Sequence, residues 1–174
     1  MSRFSTRELT EIALMTALAS VLDRLKLFEM PQGGSITLVM LPILFIAFRR
    51  GLRAGLLTGF LVGLIQLLIG GYFLNPLQVL FDYLLAMTAV GTAGLFRNKS
   101  LKNLFAGTLL ASALRLLSNF ISGVVYYGSY APKGTPVWLY SLLYNSSYIL
   151  PAATISFLVL VLLWKFQRQL FEVK

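Results

Sequence analysis

Neither cysteine nor histidine occurs anywhere in the 174 residues. Their absence excludes disulfides, Cys/His metal sites and every mechanism in which an imidazole activates a nucleophile. Charge is scarce as well: 12% of residues are charged and 57% are hydrophobic, far more apolar than one soluble core requires. No Gly-rich Walker loop follows a strand, so the chain cannot couple ATP by itself. It also lacks the ten-residue alternation of a membrane barrel and the internal repeat common in secondary transporters. The net charge of +9 does not point to nucleic acid, because the bases sit at the ends of apolar runs, where topology signals belong. What remains is an all-α integral membrane protein, and the length suits one domain, 1–174. The opening MSRFSTRELTEIALM carries acids and no cleavage pattern, so it reads as the start of a helix rather than a signal peptide.

Six apolar segments predict a compact bundle of six transmembrane helices. They run over Glu8–Leu27, Ile36–Phe48, Leu52–Ile69, Pro76–Phe96, Leu104–Tyr127 and Pro136–Phe166. Thr6 or Ser5 suits the first N-cap, and Glu8 in the first turn suits the helix dipole. Pro76 and Pro136 suit first-turn positions, while Pro151 predicts a kink. The second segment, at about 20 Å, is too short for a core of roughly 30 Å. Either it starts below the surface or the preceding Phe28–Ser35 dips inward, which is tolerated only beside protein or a water-filled cavity. Short connections favour antiparallel neighbours.

Charge orients the bundle. With the amino terminus inside, the inner ends hold Arg3, Arg7, Arg49, Arg50, Arg53, Arg97, Lys99, Lys102, Lys165, Arg168 and Lys174. The outer loops hold Arg24, Lys26 and Lys133, and Arg115 lies within the fifth segment. This bias places both termini in the cytoplasm. Gly51, Gly55, Gly59 and Gly63 recur four apart, a spacing that lets backbones approach closely. Internal packing is the favoured reading of that stripe, a dimer interface the other.

The outward stretch Tyr126–Asn145, YYGSYAPKGTPVWLYSLLYN, holds five of the eight tyrosines. It could be an aromatic belt at the headgroups or the wall of a site for an aromatic or cationic solute. Tyr140, Tyr144 and Tyr148 recur at i, i+4 and i+8, two turns further into the membrane than a belt requires, which favours a wall. Asp82 is the one acid well inside a span, and such an acid is costly enough to suggest function. It reads as a ligand counter-ion or as the partner of a structural pair with Arg115. Asn119 and Ser122 put a polar face above Arg115. With no histidine, cysteine or paired membrane acids, an enzyme is the weakest class. A binding unit and a small membrane scaffold are the stronger ones.

The chain also resembles the substrate-binding S components of energy-coupling factor (ECF) vitamin transporters, most closely the thiamine-specific ThiT (YuaJ) family. The resemblance lies in LTEIALMTAL (Leu9–Leu18), MPQGGSITLVMLPIL (Met30–Leu44), FRRGLRAGLLTG (Phe48–Gly59), LFDYLLA (Leu80–Ala86) and ISGVVYYGSYAPKGTPVWLYSLLYN (Ile121–Asn145). It implies a six-helix bundle with an outward pocket and an occluding first loop, in a prokaryotic plasma membrane. By position it assigns ligand contacts to Tyr72, Asp82, Tyr83, Asn119, Tyr127, Tyr140 and Asn145, with Asn145 facing the aminopyrimidine edge. It makes Ala13 and Ala17 a contact with the transmembrane coupling subunit. Two partner ATPases would use ATP, leaving this chain without a cofactor, and the ligand would be thiamine or a related vitamin or precursor such as hydroxymethylpyrimidine or riboflavin. The family often has Glu at position 82, sometimes Glu at Thr37, and often His at Asn119.

Overall fold

The computed structural model describes residues 4–97 and 100–172. Its first helix, α1 (Thr6–Arg24), begins at a capping box. Ser5 Oγ accepts from the Glu8 amide at 3.2 Å, and the Glu8 carboxylate accepts from the Ser5 amide at 3.5 Å, so two orphan donors of the first turn are satisfied together. Then come α2 (Met40–Arg50), α3 (Leu52–Leu68), a continuous fourth span α4 (Pro76–Phe96), α5 (Leu101–Tyr126) and α6 (Val137–Phe166). The last three are long and apolar enough to cross a membrane. Leu14, Val21, Leu109 and Leu158 lie on the outside of the bundle, each more than half exposed. In water that apolar exterior would be costly, whereas lipid solvates it without penalty.

The second segment departs from its predicted bounds. Ile36 is not helical: it pairs with Phe28 in a short antiparallel hairpin of β1 (Phe28–Glu29) and β2 (Ser35–Ile36). Between the strands Pro31–Gly33 makes a tight turn in which Gln32 and Gly33 take φ of 63° and 88°. The helix proper starts at Met40 and is 11 residues long. Met40, Ile43, Leu44, Ala47 and Phe48 are all buried; a helix apolar all round is surrounded all round, and α2 is the centre of the bundle. Pro76 stands at a first helical position as expected, but Pro136 is the residue just before α6. Helix α6 runs through Pro151 as one element.

The glycine stripe packs within the chain. A methyl group added at Gly55, Gly59 or Gly63 would sit 2.6 Å from Gly91 O, 2.2 Å from Met87 O or 2.4 Å from Tyr83 O. Helices α3 and α4 therefore meet backbone to backbone, which only glycine allows. Gly51 serves differently, turning α2 into α3 at φ 93°.

At one end of the bundle Glu11 accepts from Arg49 Nε at 2.9 Å and from Arg50 Nη2 at 2.6 Å. Arg49 also donates to the Leu170 carbonyl, and to that of Glu172 at 2.9 Å. The Arg168–Phe171 turn is thereby folded under, with Phe171 buried edge-on against Phe45 at 5.2 Å. Much of the basic surplus gathers at this end. Arg3, Lys99 and Lys174, counted in the charge bias, lie outside the described residues.

Candidate ligand-binding site

The opposite end is built from the start of α4 upward. Asn75 Oδ1 caps this helix by accepting from the Leu77 amide at 2.9 Å, with Pro76 at the first position. One turn on, Gln78 Oε1 accepts from the Leu74 amide at 3.0 Å, which fixes the orientation of its side-chain amide. Its Nε2 then donates to Asp82 Oδ2 at 2.7 Å, and Tyr127 Oη donates to the same oxygen at 3.2 Å. Leu80–Leu85 is a π-helical turn, a feature that concentrates at functional sites. In an α-helix residues five apart are rotated by about 140°, whereas the wider i→i+5 turn brings them closer to one face. Asp82 and Met87 thus reach one cavity together with Tyr83.

Helices α5 and α6 supply the facing wall. Asn119 Nδ2 donates to Tyr148 Oη at 3.3 Å, and Tyr148 Oη donates to Asn145 Oδ1 at 2.7 Å. Asn145 Nδ2 donates to the Ser141 carbonyl at 2.9 Å. The Asn145 amide is therefore engaged within the protein, which differs from its expected place across a ligand edge. The stripe of Tyr140, Tyr144 and Tyr148 forms a ladder of rings, each 5.9 Å from the next. On the near side Tyr83 Oη accepts from the Tyr72 amide at 2.6 Å.

All seven expected contact residues, Tyr72, Asp82, Tyr83, Asn119, Tyr127, Tyr140 and Asn145, line one cavity of about 340 Å³. That volume is within the roughly 300–1,000 Å³ typical of small-molecule sites. Thr37 and Tyr130 line it too. Trp138 stays on the outer surface, 54% exposed. Ala13 and Ala17 lie elsewhere, on the exposed face of α1. The structural pair of Asp82 with Arg115 is not formed, since no described ion pair within 4.0 Å joins them.

Some cavity groups stand out beyond the expected contact list. Arg115 is buried, lines the cavity, and has Nε and Nη1 without a hydrogen-bond partner. Asn119 Oδ1 is likewise buried and unpartnered. Such groups are expensive inside a membrane unless something reaches them. Asp23, near the end of α1, accepts from Gln66 Nε2 at 2.8 Å and faces the cavity; a glutamine inside an apolar segment was the available signal. The Gln32–Gly34 turn lines the cavity from the solvent side, with Gln32 and Gly33 exposed and Gly34 buried. Of the charged lining residues, Asp23, Glu29 and Asp82 stand against Lys26 and Arg115, leaving one negative charge in excess. The site therefore suits a flat, polar-edged monocation held between ring faces and a carboxylate. Among the described residues no acidic cluster is suited to a metal ion.

Comparison with known proteins adds to this geometry. A family model described as "Thiamine transporter protein (Thia_YuaJ)" matches residues 9–172. The thiamine transporter ThiT of Bacillus subtilis is 44% identical, the match covering 90% of this chain and 89% of that protein. ThiT of Lacticaseibacillus paracasei is 33% identical, covering 94% and 90%. Among solved structures, ThiT from Listeria monocytogenes superposes with a TM-score of 0.86 at 30% identity over 95% of this chain and 97% of that one. The S component of a bacterial ECF transporter superposes with a TM-score of 0.65 over 94% and 96% at 18% identity, a likeness of fold.

Proposed function

Because the chain belongs to the thiamine transporter protein family, Thia_YuaJ, we propose that it captures thiamine as the substrate-binding S component of an ECF transporter. Membership makes it a multi-pass protein of the cell membrane and a transporter component rather than an enzyme. The observation that carries the ligand reading is the placement of Asp82. It lies in a tyrosine-walled cavity with one negative charge in excess, oriented by Gln78 and Tyr127. Thiamine brings a fixed thiazolium cation and an aminopyrimidine. In this reading the carboxylate and the faces of Tyr127 and Tyr140 hold the cation. Asn119 Oδ1 accepts from the exocyclic amine, and Arg115 donates to ring nitrogens, so that the buried unpartnered atoms are satisfied on binding. Tyr72 and Tyr83 close the near side, and Asn145 keeps Tyr148 and Asn119 in place.

ECF transporter subunits are the protein partners, and the exposed Ala13–Ala17 face of α1 is the proposed contact with the coupling subunit. Energy then comes from ATP on two partner ATPases, with no cofactor in this chain. The end bearing Glu11, Arg49 and Arg50 faces the cytoplasm and the cavity faces outward, as the basic bias favours. Titration of the purified chain against thiamine, hydroxymethylpyrimidine and riboflavin tests the reading. One saturable thiamine site that riboflavin leaves unaffected is expected; no saturable thiamine binding would overturn it.

A further inference from the structure

We propose that Tyr144 is a positioning residue that keys the Pro31–Gly34 turn over the cavity mouth and thereby sets how fast ligand leaves. The proposal rests on the reading of the cavity as the thiamine site. Tyr144 Oη accepts from the Gly34 amide at 2.9 Å and donates to the Pro31 carbonyl. One hydroxyl thus grips both sides of the turn, from a helix more than a hundred residues away in the chain. Nearby on α6, Ser147 Oγ donates to Met30 Sδ at 3.1 Å.

Within the hairpin Met30 N donates to Gly34 O at 2.7 Å and Leu27 N to Ile36 O at 2.9 Å, but these bonds do not tie the turn to the bundle. The hairpin's two strands are two residues each, and Phe28 and Glu29 are exposed; so short a hairpin is not stable alone. Gly34, by contrast, is buried and fitted. Its φ of −61° and ψ of 136° suit any residue, so space alone demands glycine. A methyl group there would lie 2.8 Å from Tyr144 Oη and 2.9 Å from Tyr148 Cδ1. Tyr148 is itself held by Asn119 and Asn145, so the seat of the turn is continuous with the cavity floor. The proton of Tyr144 and one lone pair are spent on the turn, which leaves its ring as the part that faces ligand. The hydroxyl is therefore a clasp, and the ring is a wall.

Tyr144→Phe keeps the wall and removes the clasp. Two lost hydrogen bonds at typical net strength correspond to roughly a thirtyfold faster release. Stopped-flow measurement on the purified chain with thiamine is expected to show that increase, with association changed less than about threefold. Gly34→Ala presses on Tyr148 as well as on the clasp, so it should release ligand at least as fast as Tyr144→Phe. Exchange of the Gly34 amide with deuterated water, measured without thiamine, should accelerate in Tyr144→Phe, showing the clasp released in a folded protein. An unchanged off-rate in Tyr144→Phe, or Gly34 amide exchange no faster in that variant, would overturn the proposal. Failure of the unsubstituted chain to bind thiamine would instead overturn the reading of the cavity, and the release role with it.

Discussion

Replacing Asp82 with asparagine removes one charge and almost no volume, so it isolates the electrostatic share of binding. The surroundings are fixed beforehand. The Leu74 amide holds Gln78 Oε1, so Gln78 Nε2 must face position 82, and Tyr127 Oη approaches from the other side. An amide oxygen in the place of Oδ2 still accepts from both donors, and the local frame survives. What disappears is the attraction between a half-buried carboxylate and a ligand cation. At about 5 Å and an effective dielectric of ~20 that attraction is about 3 kcal/mol. Water at the cavity mouth reduces it toward about 1.5 kcal/mol, so the expected loss of affinity is roughly 10- to 100-fold. Calorimetric titration would be run with thiamine and, in parallel, with a neutral aminopyrimidine lacking the thiazolium ring. Thiamine should weaken by that factor while the neutral fragment changes less than about threefold, the range expected for an uncharged contact. Equal weakening of both ligands, or no effect on thiamine, would refute the counter-ion argument, the latter returning Asp82 to a structural role.

Three further outcomes follow from packing and charge. Gly59→Ala puts a methyl 2.2 Å from Met87 O and should cost about 2–3 kcal/mol. Thermal unfolding in detergent should show a lower midpoint, with the oligomeric state on size exclusion unchanged because the stripe packs inside the chain. Glu11→Gln leaves Arg49 and Arg50, with side chains only 13% and 7% exposed, short of their counter-charge. A loss of about 2 kcal/mol is expected, with thiamine affinity kept within about twofold because the junction lies at the far end of the bundle. Phe171→Ala empties a fully buried site beside Phe45 and should lower stability by about 3 kcal/mol, again without moving the binding constant.

Much of this was legible because membrane helices announce themselves by length and hydropathy. The six segments matched six helices within a few residues, apart from the start of α2, where apolar Ile36 and Leu38 read as helix but precede it. Hydropathy cannot separate a two-residue strand from the first turn of a helix when both are apolar. Asp82 was legible because a lone membrane acid is costly, and the tyrosine ladder because its four-residue spacing is a helix property. That Arg115 stands unpaired among the described residues, apart from Asp82, was not legible: depth along two helices says nothing about their rotation, and the π turn alters that rotation locally. The Tyr144 clasp depends on a contact between residues 34 and 144, which no local pattern encodes.

The glycine stripe and the binding site are one arrangement. Gly63 approaches the carbonyl of Tyr83, within the same π turn that carries Asp82, so the backbone contact of α3 with α4 sets how far the carboxylate reaches into the cavity. A side chain at position 63 would push the fourth span outward at the very turn whose rotation aligns Asp82, Tyr83 and Met87. Packing and ligand contact are therefore coupled along the α3–α4 seam. The Glu11 junction with Arg49, Arg50 and the folded-under carboxyl-terminal turn lies apart from it, sharing no described side-chain contact with the cavity. Damage at the seam should move stability and affinity together, whereas damage at the junction should move stability alone. This division follows from where α3 allows backbone contact, and it holds whichever ligand the cavity takes.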